Sequence, residues 1–342
     1  CVGMRLAGIK NYVGEYRDDL LELPGTLPEF RAQRLHLRPE AHPGHAEIAP
    51  ETLFQVGIQP GILLIIKFEG LRNIDWIGGR LAELHRDGPI LEIRMVKPAV
   101  NAICRRFSRS LEQAALHLQN EPDLCVGLLT SGCEKAFSAG LDFRQSTAQD
   151  GREREPGAKE GGFGGITTLW SLKKPLIAVI GAPAIGGGLE LALACDIILM
   201  ADEAHLRLPE LERGLIPDGG GLQRLPRRIP HHVATAMIWT GEPMSAADAL
   251  RWGLAYRTAP RDRLDAMASE VARQVARGAP LAQQALKEAL RAVDGLPDRR
   301  AMALRGLPGA DLTVFERMLK SDDMIEGQRA FLERRAPRWT GH

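Results

Sequence analysis

The sequence predicts an α/β domain built on parallel strands, and three observations carry that prediction. Short β-branched apolar runs alternate with segments of helical periodicity between residues 89 and 201. Two of the strand ends run into turns of small residues. From Pro217 onward the pattern is almost wholly helical.

The elements follow in order. PILEIRMV (89–96) alternates as a strand, NAICRRFSRSLEQAALHLQ (101–119) places apolar residues at helical spacing, and LCVGLLTS (124–131) reads as a buried strand. KAFSAGLD (135–142) is a turn, and the polar stretch 144–165 (RQSTAQDGREREPGAKEGGFGG) reads as a mobile loop. A helix is expected between that loop and the next buried strand, KPLIAVIG (174–181). PAIGGGLELALACD (183–196) is a glycine turn opening a buried helix, and DIILMA (196–201) is another strand. The clearest later helices are 245–253, 264–278 and 281–293.

Residues 1–79 read as a poorly defined N-terminal extension, 80–260 as the core and 261–342 as a helical C-terminal region. Within the extension, 23–51 is rich in Pro, His and charge, which suggests loop or disorder, and NIDWIGGRLAEL (73–84) is expected to form a short helix leading into the core.

Composition excludes several functions. The 342 residues carry 44 Lys and Arg against 43 Asp and Glu, a net charge of +1, so no electrostatic footprint of a nucleic-acid partner is present. The densest basic stretch, RLPRRIPHH (224–232), reads as a solvated turn. The longest apolar run, GILLII (61–66), is far short of the ~18–20 residues a membrane span needs. No leader pattern is visible. The five cysteines (Cys1, Cys104, Cys125, Cys133, Cys195) form neither a CxxC pair nor a cluster of metal-ligand spacing, which fits buried reduced thiols in a cytoplasmic protein with no metal site.

The chemistry concentrates in the two small-residue turns. At the start of a helix the first backbone N–H groups lack intrahelical partners, and the macrodipole adds about half a positive charge. Gly186, Gly187 and Gly188 would let an oxyanion approach those amides closely. KAFSAGLD repeats the layout, so Leu141 N–H and Gly187 N–H could converge on one developing negative charge. Ser138 and Asp142 read most simply as turn and capping residues. Glu190 falls on the first turn of the helix, and Glu210 follows one strand later in LRLPELERGLIPDGGG (206–221). Two such carboxylates in one cleft can divide the work, one ionised to activate water and one protonated to deliver a proton. Asp218 is a third acid, best read as the N-cap of the helix that begins GGGLQRLP.

KAFSAGLD, GAPAIGGGLELALACDIILMADEAHLRLPELERGLIPDGGGLQRLPR, TGEPMSAADALRWGLAYR and SDDMIEGQRAFLERRAPRW together resemble the crotonase superfamily, specifically its enoyl-CoA hydratases, over residues 80–342. The resemblance implies a spiral of ββα units with a helical C-terminal trimerisation region, assembled as a trimer or pair of trimers. It implies an acyl-CoA substrate, with coenzyme A part of that substrate and no separate cofactor. Leu141 and Gly187 would be the oxyanion-hole amides and Glu190 and Glu210 the catalytic carboxylates. Val100, Asn101 and Ala102, together with Ser138, Ala139, Gly140 and Asp142, would line the CoA nucleotide. Phe331 and Arg334 match positions that in relatives reach a neighbouring subunit's CoA. Softer cues, among them PDGGGLQRLP and APLAQQALKEAL, resemble the carnitinyl-CoA dehydratase branch, whose substrate carries a trimethylammonium group. Phe163 and Trp170 are candidates for an aromatic wall against that cation, although core packing is their simpler role. The implied reaction is reversible hydration of an α,β-unsaturated acyl-CoA. A general enoyl-CoA hydratase, an isomerase using Asp218, and a non-enzymatic RNA-binding or scaffold member are the alternatives.

Overall fold

A computed structural model of the chain describes residues 81–144 and 159–342 in full, together with the backbone of two strands, β1 (Thr52–Gln59) and β2 (Ile62–Phe68), which pair with each other. The expected loop at 23–51, residues 73–80 of the expected helix and most of the polar stretch at 144–165 lie outside the described residues.

The next strands are β3 (Ala82–Asp87), β4 (Ile90–Met95), β5 (Val126–Ser131), β6 (Leu176–Ile180), β7 (Ala184–Ile185), β8 (Ile197–Ala201), β9 (His205–Arg207), β10 (Met244–Ser245) and β11 (Arg257–Ala259). Six of them form one sheet in the order β11-β8-β6-β5-β4-β3, parallel except for the β3–β4 hairpin, with Ile90 paired to both Asp87 and Val126. All five residues of β6 are buried, as a parallel strand covered on both faces requires. A smaller sheet, β10-β9-β7, is extended by single bridges from Ser138 to Ala184 and from Leu141 to Ile103.

The first helix, α1 (Arg105–Asn120), buries Phe107, Leu111, Ala114, Ala115 and Leu118, a stripe at helical spacing that packs on β3, β4 and β5. Next come α2 (Gly187–Ala194), α3 (Gly221–Arg228), α4 (His231–Thr240), α5 (Ala246–Arg251), α6 (Arg261–Ala276) and α7 (Pro280–Val293). Three short helices end the chain, α8 (Asp298–Ala301), α9 (Thr313–Met318) and α10 (Asp322–Leu332). Each turn of the chain gives one strand to the large sheet, one rung to the small one, and a helix or helical turn. β4 is followed by the Ile103 bridge and α1, and β6 by β7 and α2. β8 is followed by β9 and the 3₁₀ turn Glu210–Arg213. The result is a spiral of ββα units with a helical C-terminal region.

Four expectations need correction. Residues 82–84 are strand, because their alternation pairs them with β4 as a hairpin edge. The helix expected before β6 is a single 3₁₀ turn, Phe163–Gly165, in which Gly164 and Gly165 have positive φ. Gly165 cannot be replaced there, since a methyl group on it would lie 1.9 Å from the Ser108 carbonyl oxygen of α1. The region after Pro217 contributes β11 to the large sheet. Lastly, the N-cap of α3 is Gly220, at φ 130°, which has no side chain with which to cap it. Asp218 is exposed instead.

Candidate active site

The opening of α2 explains its three glycines. A methyl group on Gly188 would lie 2.1 Å from Ser138 O, and one on Gly187 would lie 2.3 Å from the Phe163 ring. Gly186 adopts φ 56°, and a methyl group there would meet Glu210 Oε1 at 2.9 Å. Each glycine admits a different neighbour, and together they bring the 138–142 turn, an aromatic ring and a carboxylate against one helix N-terminus.

Leu141 and Gly187 belong to adjoining segments, since a methyl group on Gly140 would lie 2.8 Å from Gly187 N. The rung between Leu141 and Ile103 uses Gly140 O and Asp142 N, at 2.7 and 2.8 Å, so the Leu141 N–H faces the opposite way. Gly187 is the first residue of α2, where no preceding turn supplies a carbonyl. Both residues line a cavity of about 1160 Å³ that also holds Ala139, Phe163, Glu190, Glu210, Ile216, Asp218 and Gly219.

Glu190 is buried, at 4 % exposure. Its Oε1 accepts from Gly221 N at 3.0 Å, so the carboxylate sits on the N-terminus of α3, and Gly219 N–H also donates to it. Burial is the larger influence and pushes its carboxyl up to about 7, reinforced by the charges of Glu210 and Asp218 and opposed by the two amides. Glu210 opens the 3₁₀ turn after β9 and is half-buried beside Gly186. A carboxylate whose pKa is tuned close to neutral is suited to act as a general base, and a second carboxyl in the same cleft can serve as the acid.

The remaining sequence-predicted residues divide. Ala139 and Leu141 line the cavity, but Asn101 and Ser138 are fully buried behind it and Gly140 is buried between the two segments. Val100, Ala102 and Asp142 are half-buried, and Asp142 pairs with Lys97. Phe331, at 83 % exposure, and Arg334 lie at the end of α10 and outside the cavity. Core packing describes Phe163 in part, since it is partly buried against the hydrophobic core, but not Trp170. Trp170 is exposed and flanked by the guanidinium groups of Arg224 and Arg291 at 6.0 and 5.4 Å, while Phe163 faces the cavity between Gly187 and Gly219.

The basic stretch at 224–232 is not a solvated turn. Arg224 and Arg228 are half-buried on α3, where they donate to Thr167 O and Cys195 O and line the far end of the cavity. Of the thiols, Cys104 and Cys195 are buried, and Cys125 and Cys133 only partly so. Sequence reasoning missed the amides of Gly219 and Gly221 and the lysine at 97. The glycine run 219–221 was the signal for the first two, because a Cβ on Gly219 would lie 2.7 Å from Glu190 Oε2.

Comparison with known proteins identifies the family. Residues 85–342 match the enoyl-CoA hydratase/isomerase family. A carnitinyl-CoA dehydratase of Salmonella typhi is 42 % identical over 258 residues, 75 % of this chain and 97 % of that protein. Among solved structures, an enoyl-CoA hydratase from Mycobacterium tuberculosis superposes with a TM-score of 0.68 at 33 % identity, covering 77 % of this chain and 99 % of that one. An enoyl-CoA hydratase from Bacillus anthracis gives 0.67 at 28 % identity, covering 77 % and 100 %. With the spiral of ββα units and the helical C-terminal region, these matches make the chain a member of the enoyl-CoA hydratase/isomerase family.

Proposed function

We propose that this chain catalyses the reversible hydration of crotonobetainyl-CoA to carnitinyl-CoA, a specific form of the hydro-lyase chemistry of its family. Leu141 and Gly187 N–H polarise the thioester carbonyl and make Cβ electrophilic. Ionised Glu190 takes a proton from water as its oxygen bonds to Cβ, and Glu210 delivers a proton to Cα. The reverse sequence dehydrates the 3-hydroxyacyl thioester. The observation that carries this reading is the buried Glu190, its carboxyl pushed up to about 7, in the same cavity as Glu210 and the two backbone amides.

The choice of acyl group rests on two further supports. Carnitinyl-CoA dehydratases from Salmonella strains are 41–42 % identical to this chain over 258 residues. Phe163 faces the cavity near Glu190, a setting in which an aromatic ring and carboxylates suit a trimethylammonium group. Trp170 is less suited, because two guanidinium groups already flank its ring. Assembly as a trimer or pair of trimers belongs to the same proposal, with Phe331 and Arg334 reaching the CoA of a neighbouring copy.

The test is loss of absorbance of the conjugated thioester with crotonobetainyl-CoA and crotonyl-CoA in parallel, using Glu190→Gln and Glu210→Gln as controls. Faster turnover of the betaine supports the proposal, and preference for crotonyl-CoA makes this a general enoyl-CoA hydratase. One observation favours a second reading. Asp218 lines the cavity, and its charge acts on Glu190. Inactivity on both thioesters with turnover of a 3-enoyl-CoA would select isomerisation.

A further inference from the structure

Behind the 138–142 turn, on the side away from the cavity, residues 97–104 form a brace. Asn101 has φ 49° and is fully buried. Its Oδ1 accepts from Lys97 N at 2.8 Å, and its Nδ2 donates to Met95 O, Ser131 Oγ and Phe137 O at 3.3, 2.9 and 3.0 Å. Ser138 Oγ donates to Asn101 O at 2.8 Å, and Ala139 N to Val100 O at 2.9 Å. Beyond the turn, Lys97 Nζ lies 2.6 Å from Asp142 Oδ2, with the two side chains 10 % and 14 % exposed.

Lys97 itself is 8 % exposed. An ammonium has three N–H donors, and all three have acceptors here: Asp142 Oδ2, Ala102 O at 2.7 Å and Cys104 Sγ at 3.5 Å. None is left to bind a phosphate or a substrate atom. The side chain instead ties the start of the brace to the residue that follows Leu141. Gly140 C=O and Leu141 N–H share one planar peptide, so the bond from Ile103 N–H to Gly140 O aims that N–H away from the brace, and the aim lasts only while the turn stays seated on Ile103. Ser138 anchors one end through Asn101, and Asp142 anchors the other through Lys97.

We propose that Lys97 is a positioning residue: through its ion pair with Asp142 it holds the Leu141 N–H in the orientation in which it donates to the thioester oxygen. The inference rests on the oxyanion-hole reading above and adds what keeps the peptide of one donor seated on its rung. A donor serves only when it lies about 2.7–3.1 Å from the oxyanion, and removing one outright costs about 10²–10³ in kcat. A misdirected donor loses part of that.

The experiment uses a 2,4-dienoyl-CoA, a conjugated thioester whose absorption band moves to longer wavelength as its carbonyl is polarised. Full-length wild type and the Lys97→Met and Lys97→Arg variants are titrated with it, and kcat and KM for hydration are measured on the same preparations. The expected result is a clear red shift in wild type and a shift at least halved in Lys97→Met. In that variant kcat should fall about 10–100-fold while KM changes less than about 3-fold, and Lys97→Arg should recover most of the shift. A wild-type shift in Lys97→Met overturns the inference, including the case in which only affinity falls, which would mark Lys97 as serving nucleotide binding. Where Lys97→Met does not fold, because Asp142 is left as a buried lone charge, the double variant Lys97→Met/Asp142→Asn removes both charges and must show the same reduced shift. Absence of any shift in saturated wild type is a separate outcome: it rejects the oxyanion-hole reading itself, and the role of Lys97 with it.

Discussion

Replacing Glu190 with glutamine should disable hydration and stabilise the fold, and both effects come from one buried charge. The folded protein holds the Glu190 proton up to about pH 7, whereas its ordinary value is 4.5. A carboxyl whose pKa is raised by folding contributes stability that is fully present below the unfolded value and is lost as pH rises through the folded one. At 1.36 kcal/mol per pKa unit, the charged side chain costs roughly 3 kcal/mol at pH 8 and less than about 1 kcal/mol at pH 5. Glutamine is neutral at both. It keeps an oxygen for Gly221 N–H, but turns an amide toward Gly219, and that packing cost does not depend on pH. The difference between pH 8 and pH 5 is therefore the clean quantity, about 2–3 kcal/mol in favour of Glu190→Gln. Urea unfolding of both proteins at the two pH values measures it. Equal stability differences at pH 5 and pH 8 would refute the argument, since they would mean that Glu190 ionises in the fold as it does in the unfolded chain.

The same titration should appear in the kinetics, with kcat/KM for hydration falling below about pH 7 as Glu190 takes up its proton; a flat profile between pH 5 and 8 would exclude it as the base. Gly188→Ala should lower kcat/KM by about 100-fold or more while far-UV circular dichroism stays native, because its methyl group, 2.1 Å from Ser138 O, must push α2 off the 138–142 turn. Phe163→Leu should reduce kcat/KM for crotonobetainyl-CoA about 3–10-fold more than for crotonyl-CoA, the loss of a cation–π contact of about 0.5–1 kcal/mol or more. Asp218→Asn should leave hydration within about 3-fold of wild type, because this side chain is exposed and caps no helix; a loss above 10-fold, measured by the same absorbance assay, would give it a part in the reaction.

Much of this architecture was legible in the chain. Hydrophobic periodicity identified β4, β5, β6 and β8 and the long helices α1, α6 and α7, because each buries a continuous face and tertiary context reinforces its local pattern. The turn at 186–188 and the glutamate behind it were equally visible, since three glycines in a row demand an explanation. What failed was short or long-range. β11 has three residues and exists because β8 offers it an edge. The 3₁₀ turn at 163–165 replaces a helix because Gly165 touches α1, a contact that nothing in residues 163–174 announces. Asp218 obeys the local rule for a cap, yet Gly220 takes that place and the α3 amide goes to Glu190, 31 residues earlier in the chain. Arg224 looked solvated because its partner, Thr167 O, is 57 residues away.

The rungs that join Leu141 to Ile103 and Ser138 to Ala184 have a consequence for how this protein tolerates mutation. Groups supplied by the main chain carry no signature in the genetic code: every residue except proline has an N–H, so almost any codon at position 141 would preserve the donor. Selection on such a centre falls instead on its surroundings, on the glycines that must stay bare and the polar contacts that fix the turn. On the proposed mechanism the walls of the cavity can therefore drift toward a new acyl group while the two amides stay in place, and an enzyme built this way can change its substrate without rebuilding its chemistry.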